Sequence, residues 1–174
     1  LLLWLRLLAL ADPRPDDAGG YGRSLVGGLD VSASMSATDV APTRFGRARD
    51  RVAQLIEGLG PEDRMLLLEM GARPRPVTGL TSDRALLGAR LAELEVLDTR
   101  AAWGEALAVA LDALGGRSRP EIVLVSDGAL PLEERNGVDR RGVPLRFESM
   151  APGASASSNV AISAFAARRY PLGA

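Results

Sequence analysis

The chain contains no histidine and no cysteine, and all 21 of its basic residues are arginine, so lysine is missing as well. These absences exclude several chemistries at once. Ser-His-Asp and Cys-His nucleophiles, Schiff bases, the lysine of phosphate-binding loops, and zinc held by thiolate or imidazole all need a residue the chain lacks. Carboxylates, hydroxyls, guanidinium groups and the backbone remain, a donor set suited to a hard, oxygen-liganded cation. Without cysteine, the redox compartment stays open. There is also no excess of either charge. A net charge of −1, with both signs mixed along the chain, leaves no basic patch broad enough for nucleic acid, and no nucleic-acid partner is expected.

What is present fits one globular domain: 174 residues, 47% hydrophobic and 25% charged, enough to bury a core. The first ten residues, LLLWLRLLAL, are apolar apart from Arg6. A bilayer needs about 20 such residues. The segment therefore reads as the tail of a membrane-spanning helix, a truncated signal segment or an amphipathic surface helix. Asp12 to Gly22, rich in Pro, Gly and Asp, reads as a linker. The expected organisation is an apolar segment and linker over 1–22, one domain over 23–150, and a trailing strand opening a further segment over 151–174. The apolar start and the strand-like NVAISAFAARRYPLGA end predict a longer parent chain.

From Arg23 onward, short apolar runs alternate with longer helical patterns. Strands are expected near 24–30, 64–70, 121–126, 143–149 and 159–165, with Gly27 and Gly28 weakening the first. RPVTGL is a candidate to pair beside the second. Phe45, Ala48, Val52, Leu55, Ile56 and Leu59 recur at three-and-four spacing in a helix that stops at Gly60-Pro61. SDRALLGARLAEL, capped by Ser82, and WGEALAVALDALGG, closed by glycines, predict two more helices. This alternation predicts an α/β three-layer sandwich with a doubly wound, mainly parallel sheet.

In such sheets ligands gather where strand carboxyl ends turn into helices. Two segments place aspartates there: Asp30-Val31-Ser32-Ala33-Ser34 and Val125-Ser126-Asp127-Gly128. Alternate positions of the first let Asp30, Ser32 and Ser34 face one point, and Asp127 approaches from another strand. Carboxylates, hydroxyls and waters make an octahedral shell for Mg²⁺ (or Mn²⁺). Taken singly, each residue is equally a helix cap or turn residue; the second aspartate after the strongest strand favours the metal reading. Asp39 reads as a turn residue, and Trp103 as either a partner anchor or a buried helix-face residue. Arg44, Arg47, Arg49 and Arg51 read as a solvated face. Glu133, Glu134, Asp139, Arg140 and Arg141 read as a surface loop.

LDVSASM, followed by an amphipathic helix, a short strand, two helices and IVLVSDG, resembles a von Willebrand factor A (vWA) domain over about residues 24–150. In that family the metal-ion-dependent adhesion site combines DxSxS, a threonine in a middle loop and a late aspartate. Further features, DVSASMSATDVAPTR and NVAISAFAARR, resemble the membrane-anchored bacterial Bat-type (aerotolerance) vWA proteins. The resemblance maps Asp30, Ser32 and Ser34 onto the first motif and Asp127 onto the late aspartate. The middle threonine is expected at Ala101, counting back from Glu105; Thr99, two residues earlier, serves if the loop is shifted. The implied function is adhesion-like and not enzymatic: a bound Mg²⁺ with an open position accepts a carboxylate from a partner protein. The implied location is a bacterial membrane, with the domain on the periplasmic side and anchored through the N-terminal segment. The rivals are a metal-free vWA scaffold and a Mg²⁺-dependent phosphoryl-transfer or hydrolytic enzyme. The latter normally sets a lysine beside its aspartate, which this chain lacks.

Overall fold

The computed structural model describes residues 22–128 and 140–152. Its elements, in chain order, are β1 (Ser24–Asp30), a 3₁₀ turn (Ala33–Ser36), α1 (Arg44–Glu57), β2 (Arg64–Met70), β3 (Arg75–Pro76), α2 (Arg84–Ala92), α3 (Trp103–Ala113), β4 (Pro120–Ser126) and β5 (Leu145–Ser149). The anticipated strand at 159–165, the apolar segment at 1–10, and Glu133, Glu134 and Asp139 lie outside the described residues.

The five strands form one sheet in the order β3-β2-β1-β4-β5. β1 runs parallel to both β2 and β4, and β4 parallel to β5. β3, from the RPVTGL segment, pairs antiparallel with β2 at the edge. Parallel strands covered on both faces read as continuous apolar runs, and all seven residues of β1 are buried.

Side chains alternate across the pleat and build two cores. On one face Leu25, Leu29, Met65, Leu67, Val123 and Val125 pack with Ala48, Val52 and Ile56 of α1 and Leu87 and Leu91 of α2. On the other, Val26, Leu66, Leu68, Ile122 and Leu124 pack with Trp103, Ala106, Leu107, Ala110 and Leu111 of α3. This is the three-layer α/β sandwich expected from the alternation.

Gly27 and Gly28, expected to weaken β1, are instead what lets it sit in the middle. A Cβ on Gly28 would lie 2.5 Å from Met70 Sδ and 2.6 Å from Leu124 Cδ2; on Gly27 it would lie 2.1 Å from Met65 Cε. Their bareness is filled by the neighbours' side chains.

The starts of α1 and α2 follow local capping, whereas α3 follows Ala102 with no side-chain cap. Thr43 Oγ1 accepts from Gly46 N at 2.9 Å to open α1. At α2 the cap is Asp83, accepting from Leu86 N at 2.9 Å, one residue beyond the expected Ser82. Ser82 loses the position because α2 begins at Arg84, and a cap must directly precede the first helical residue.

Candidate metal centre

From β1 the chain moves to β2 on one side and later returns to β4 on the other, so the strand order reverses between β1 and β4. The crevice at the carboxyl ends of these two strands is where such sheets hold ligands. Asp30 is the last residue of β1, and Asp127 directly follows the last residue of β4.

Asp30 is 1% exposed. Its Oδ1 accepts from Ser32 N at 2.8 Å and its Oδ2 from Ser126 Oγ at 2.5 Å. Burial raises the Asp30 carboxyl above the usual aspartate range; the bonds from Ser126 and Ser32 oppose this, and the Asp127 charge adds to it. Ser126 is a residue that sequence reasoning missed. Its hydroxyl donates to Asp30 while accepting from Gly128 N at 3.2 Å, which joins the two strand ends.

The loop after β1 folds over this carboxylate as a 3₁₀ turn anchored by the fully buried Met35. It brings Ser32 Oγ to 3.2 Å from Ser34 Oγ. Leu97 N donates to Val31 O at 2.7 Å, and Ala33 N donates to Thr99 O at 2.9 Å, so the segment before α3 lies against the turn. It is Thr99 that meets the DxSxS loop, while Ala101 packs into the core beneath α3. The segment leading into α3 is non-helical, so helical spacing counted back from Glu105 does not extend through it, and Thr99 is the threonine whose backbone meets the loop. The Thr99 hydroxyl oxygen is buried and, among the described residues, has no hydrogen-bond partner.

Asp127 is buried and accepts from Arg44 Nη1 at 2.7 Å through Oδ2. Arg44 is no part of a solvated face. Its side chain is 3% exposed, and its Nε and Nη2 grip the Asp39 carboxylate at 2.9 Å and 2.5 Å. Asp39 holds the guanidinium above its usual range against the opposing pull of burial, with Asp127 adding to the effect. The Arg44 fork in turn holds the Asp39 carboxyl below its own usual range. Asp39, read as a turn residue, is thus an ion-pair partner as well. The signal for Arg44 was available, since residues 44, 48, 52 and 56 form one buried helical stripe and Arg44 is its first member. Arg47 and Arg49 are exposed as expected, whereas Arg51 reaches Glu148 on β5. Trp103 is 6% exposed, packed within 5.8 Å of the Phe147 ring, and so belongs to the core.

The von Willebrand factor type A domain family matches residues 28–129, which is most of the described fold and both strand-end motifs. The chain belongs to this family. Domains of the vWA class commonly mediate protein–protein interaction. A UPF0353 protein of Mycolicibacterium paratuberculosis is 33% identical over 144 residues, covering 75% of this chain and 43% of that protein. The chain therefore spans less than half the length of the curated relatives it matches. In fold it is similar to BatB from Bacteroides thetaiotaomicron, with a TM-score of 0.64 at 21% identity, covering 72% of this chain and 65% of that one. It is also similar to an aerotolerance-related membrane protein from Bacteroides fragilis, with a TM-score of 0.63 at 22% identity, covering 72% and 66%. Among the described residues of this vWA domain, no helix is long and apolar enough to cross a membrane.

The donor set tests whether a cation fits. Among the described residues there is no cluster of three or more carboxylates suited to a metal. The candidate site instead offers two carboxylates and the hydroxyls of Ser32 and Ser34, with the Thr99 hydroxyl on the segment that lies against the turn. That set fits an ion that keeps several waters, as Mg²⁺ does. The orphaned Thr99 hydroxyl fits it too, because a buried hydroxyl without a partner is costly unless something else occupies its lone pairs.

Proposed function

We propose that this vWA domain is a metal-dependent protein-binding module. Asp30, Ser32 and Ser34 would hold Mg²⁺ (or Mn²⁺), with Thr99 and Asp127 completing the protein side of the site. An acidic side chain of a partner protein would take the remaining position. When bound, the cation supplies a directional electrostatic contact for that carboxylate. The observation that carries this reading is that Thr99, whose carbonyl accepts from Ala33 N of the DxSxS loop, has a buried hydroxyl with no hydrogen-bond partner among the described residues. Nothing in the residue set supplies a conventional nucleophile with its base, so the proposed role is binding and not catalysis.

One observation favours a second reading, a vWA scaffold that works without metal. Arg44 already sets a positive charge on Asp127. Melting curves in chelator and in millimolar Mg²⁺ or Mn²⁺ separate the two. The metal reading expects a rise in Tm that Asp30→Ala abolishes; a parent whose Tm ignores both ions is the scaffold.

For the whole protein we propose the organisation anticipated from the sequence: residues 1–22 as apolar segment and linker, 23–150 as the binding domain, and 151–174 leading onward. The chain would be membrane-associated through its N-terminal segment, with the domain on the periplasmic side of a bacterial membrane and no nucleic-acid partner. A pull-down from membranes with and without chelator tests the partner; reporter fusions at either end test the side.

A further inference from the structure

Among the described residues, Arg44 is the one cationic side chain buried against the candidate site, at 3% side-chain exposure. Each of its three guanidinium nitrogens donates to a carboxylate. Asp39 takes the two-pronged fork through Nε and Nη2, and this fixes the plane of the guanidinium so that Nη1 points at Asp127 Oδ2. The backbone holds the same arrangement, since Arg44 N donates to Ala37 O at 2.9 Å and the side chain leaves from the first residue of α1. A charge held this way cannot swing out when a second cation arrives, and in a buried crevice it is weakly screened.

We propose that Arg44 is the charge-setting residue of the site: fixed on Asp127 by Asp39, it holds divalent-cation affinity well below what the carboxylates and hydroxyls would otherwise give. This rests on the metal reading above. It makes the occupancy of the site a balance of neighbouring charges. Removing the guanidinium charge takes away one positive charge that competes with an incoming ion for Asp127. Removing the Asp39 charge leaves the guanidinium less compensated and more repulsive. The two substitutions therefore act in opposite directions, which a role limited to holding the loop in shape does not produce; loss of shape would weaken binding in both.

The test is Mn²⁺ binding to the chain, followed by the electron paramagnetic resonance signal of the free ion, with Mg²⁺ as competitor. Arg44→Gln, which keeps amide donors and loses the charge, is expected to bind about tenfold more tightly than the parent. Arg44→Lys, which keeps the charge, is expected to stay near the parent, and Asp39→Asn to bind several-fold more weakly. A parent that binds alongside an Arg44→Gln variant that binds no more tightly overturns the charge-setting role and leaves the metal reading standing. A silent parent with a binding Arg44→Gln variant supports the role of Arg44 and removes the metal reading for the natural chain. Silence in both overturns both. Should Arg44→Gln fail to fold, Arg44→Met, which loses the charge and keeps most of the side-chain volume, takes its place: tighter binding than the parent supports the proposal, and equal or weaker binding overturns it.

Discussion

Thr99 carries an unusual combination: its carbonyl is engaged by Ala33, and its hydroxyl is buried with no hydrogen-bond partner among the described residues. An unsatisfied buried hydroxyl costs about 1–3 kcal/mol, and an apolar group of the same shape removes that cost. Thr99→Val is therefore expected to leave the metal-free domain at least as stable as the parent while weakening cation binding. Chelated melts and Mn²⁺ titration of the same variant read the two effects separately; a variant that loses stability and keeps its affinity would make Thr99 a packing residue. At this scale the sequence was legible where the chemistry is written in consecutive residues. Asp30, Ser32 and Ser34 share one short loop, and Ser126 and Asp127 stand side by side, so the strand-end aspartates could be found by pattern. Arg44 was not read correctly, because arginine is ordinarily a surface residue and its two acceptors lie 5 and 83 positions away. Only the buried stripe it heads in α1 gave it away. That the Thr99 backbone meets the DxSxS loop rests on a long-range hydrogen bond, to which local spacing is blind.

The elements themselves were more legible than the joints between them. β1, β2 and β4 are apolar runs bounded by polar or turn-forming residues, and their expected spans agree with those observed to within a residue. The pairing of β3 is confined to two residues and is set by contacts with β2, so only its neighbourhood was predictable. The turn between α1 and β2 shows how a joint is held. Asp63 accepts from Gly60 N at 3.0 Å, from Arg23 N at 2.7 Å, and from Arg23 Nε and Nη2 at 3.0 and 2.8 Å, tying the turn to the residue before β1. Burial pushes the Asp63 carboxyl up, but the bonds from Arg23 and Gly60 outweigh it and hold the group at about 2. A carboxyl depressed on folding contributes stability that is complete above its unfolded value, about 3.9, and is lost as pH falls through the folded value. Asp63→Asn is expected to lower stability by about 1–3 kcal/mol at neutral pH. Denaturant titrations of parent and variant at a series of pH values should show that gap closing between about pH 4 and pH 2. A gap that stays constant with pH would mean that the Asp63 charge contributes nothing beyond its shape.

Across the described fold, two cores cover opposite faces of one sheet whose strand ends carry the site, so events at the site should register in global unfolding. A ligand bound only by the folded state adds RT ln(1 + [L]/Kd), about 2.7 kcal/mol at a 100-fold excess over Kd. For a domain of this size that is a rise in Tm of roughly 5–10 °C. Two buried carboxylates near one another would be expected to strain the metal-free fold, and Arg44 changes that balance on one side only. Asp127 is paired with the guanidinium, whereas Asp30 is held by hydroxyl and amide donors and its ionised form is opposed by burial. Neutralising the two aspartates should therefore have opposite effects on the metal-free domain. Asp30→Asn removes a charge that burial disfavours and is expected to melt in chelator at or above the parent. Asp127→Asn takes the charge from one partner of a buried ion pair and leaves Arg44 less compensated, a class of change that costs about 3–5 kcal/mol when the pair is fully broken. Since Asp39 still grips Arg44, the expected loss is smaller, about 2 kcal/mol, and Tm in chelator should fall. Both variants should lose the Mg²⁺-dependent rise, so the pair of melts separates the carboxylate that serves only the ligand from the one that also holds the fold. An Asp127→Asn domain as stable as the parent in chelator would show that the Arg44 contact contributes nothing to folding.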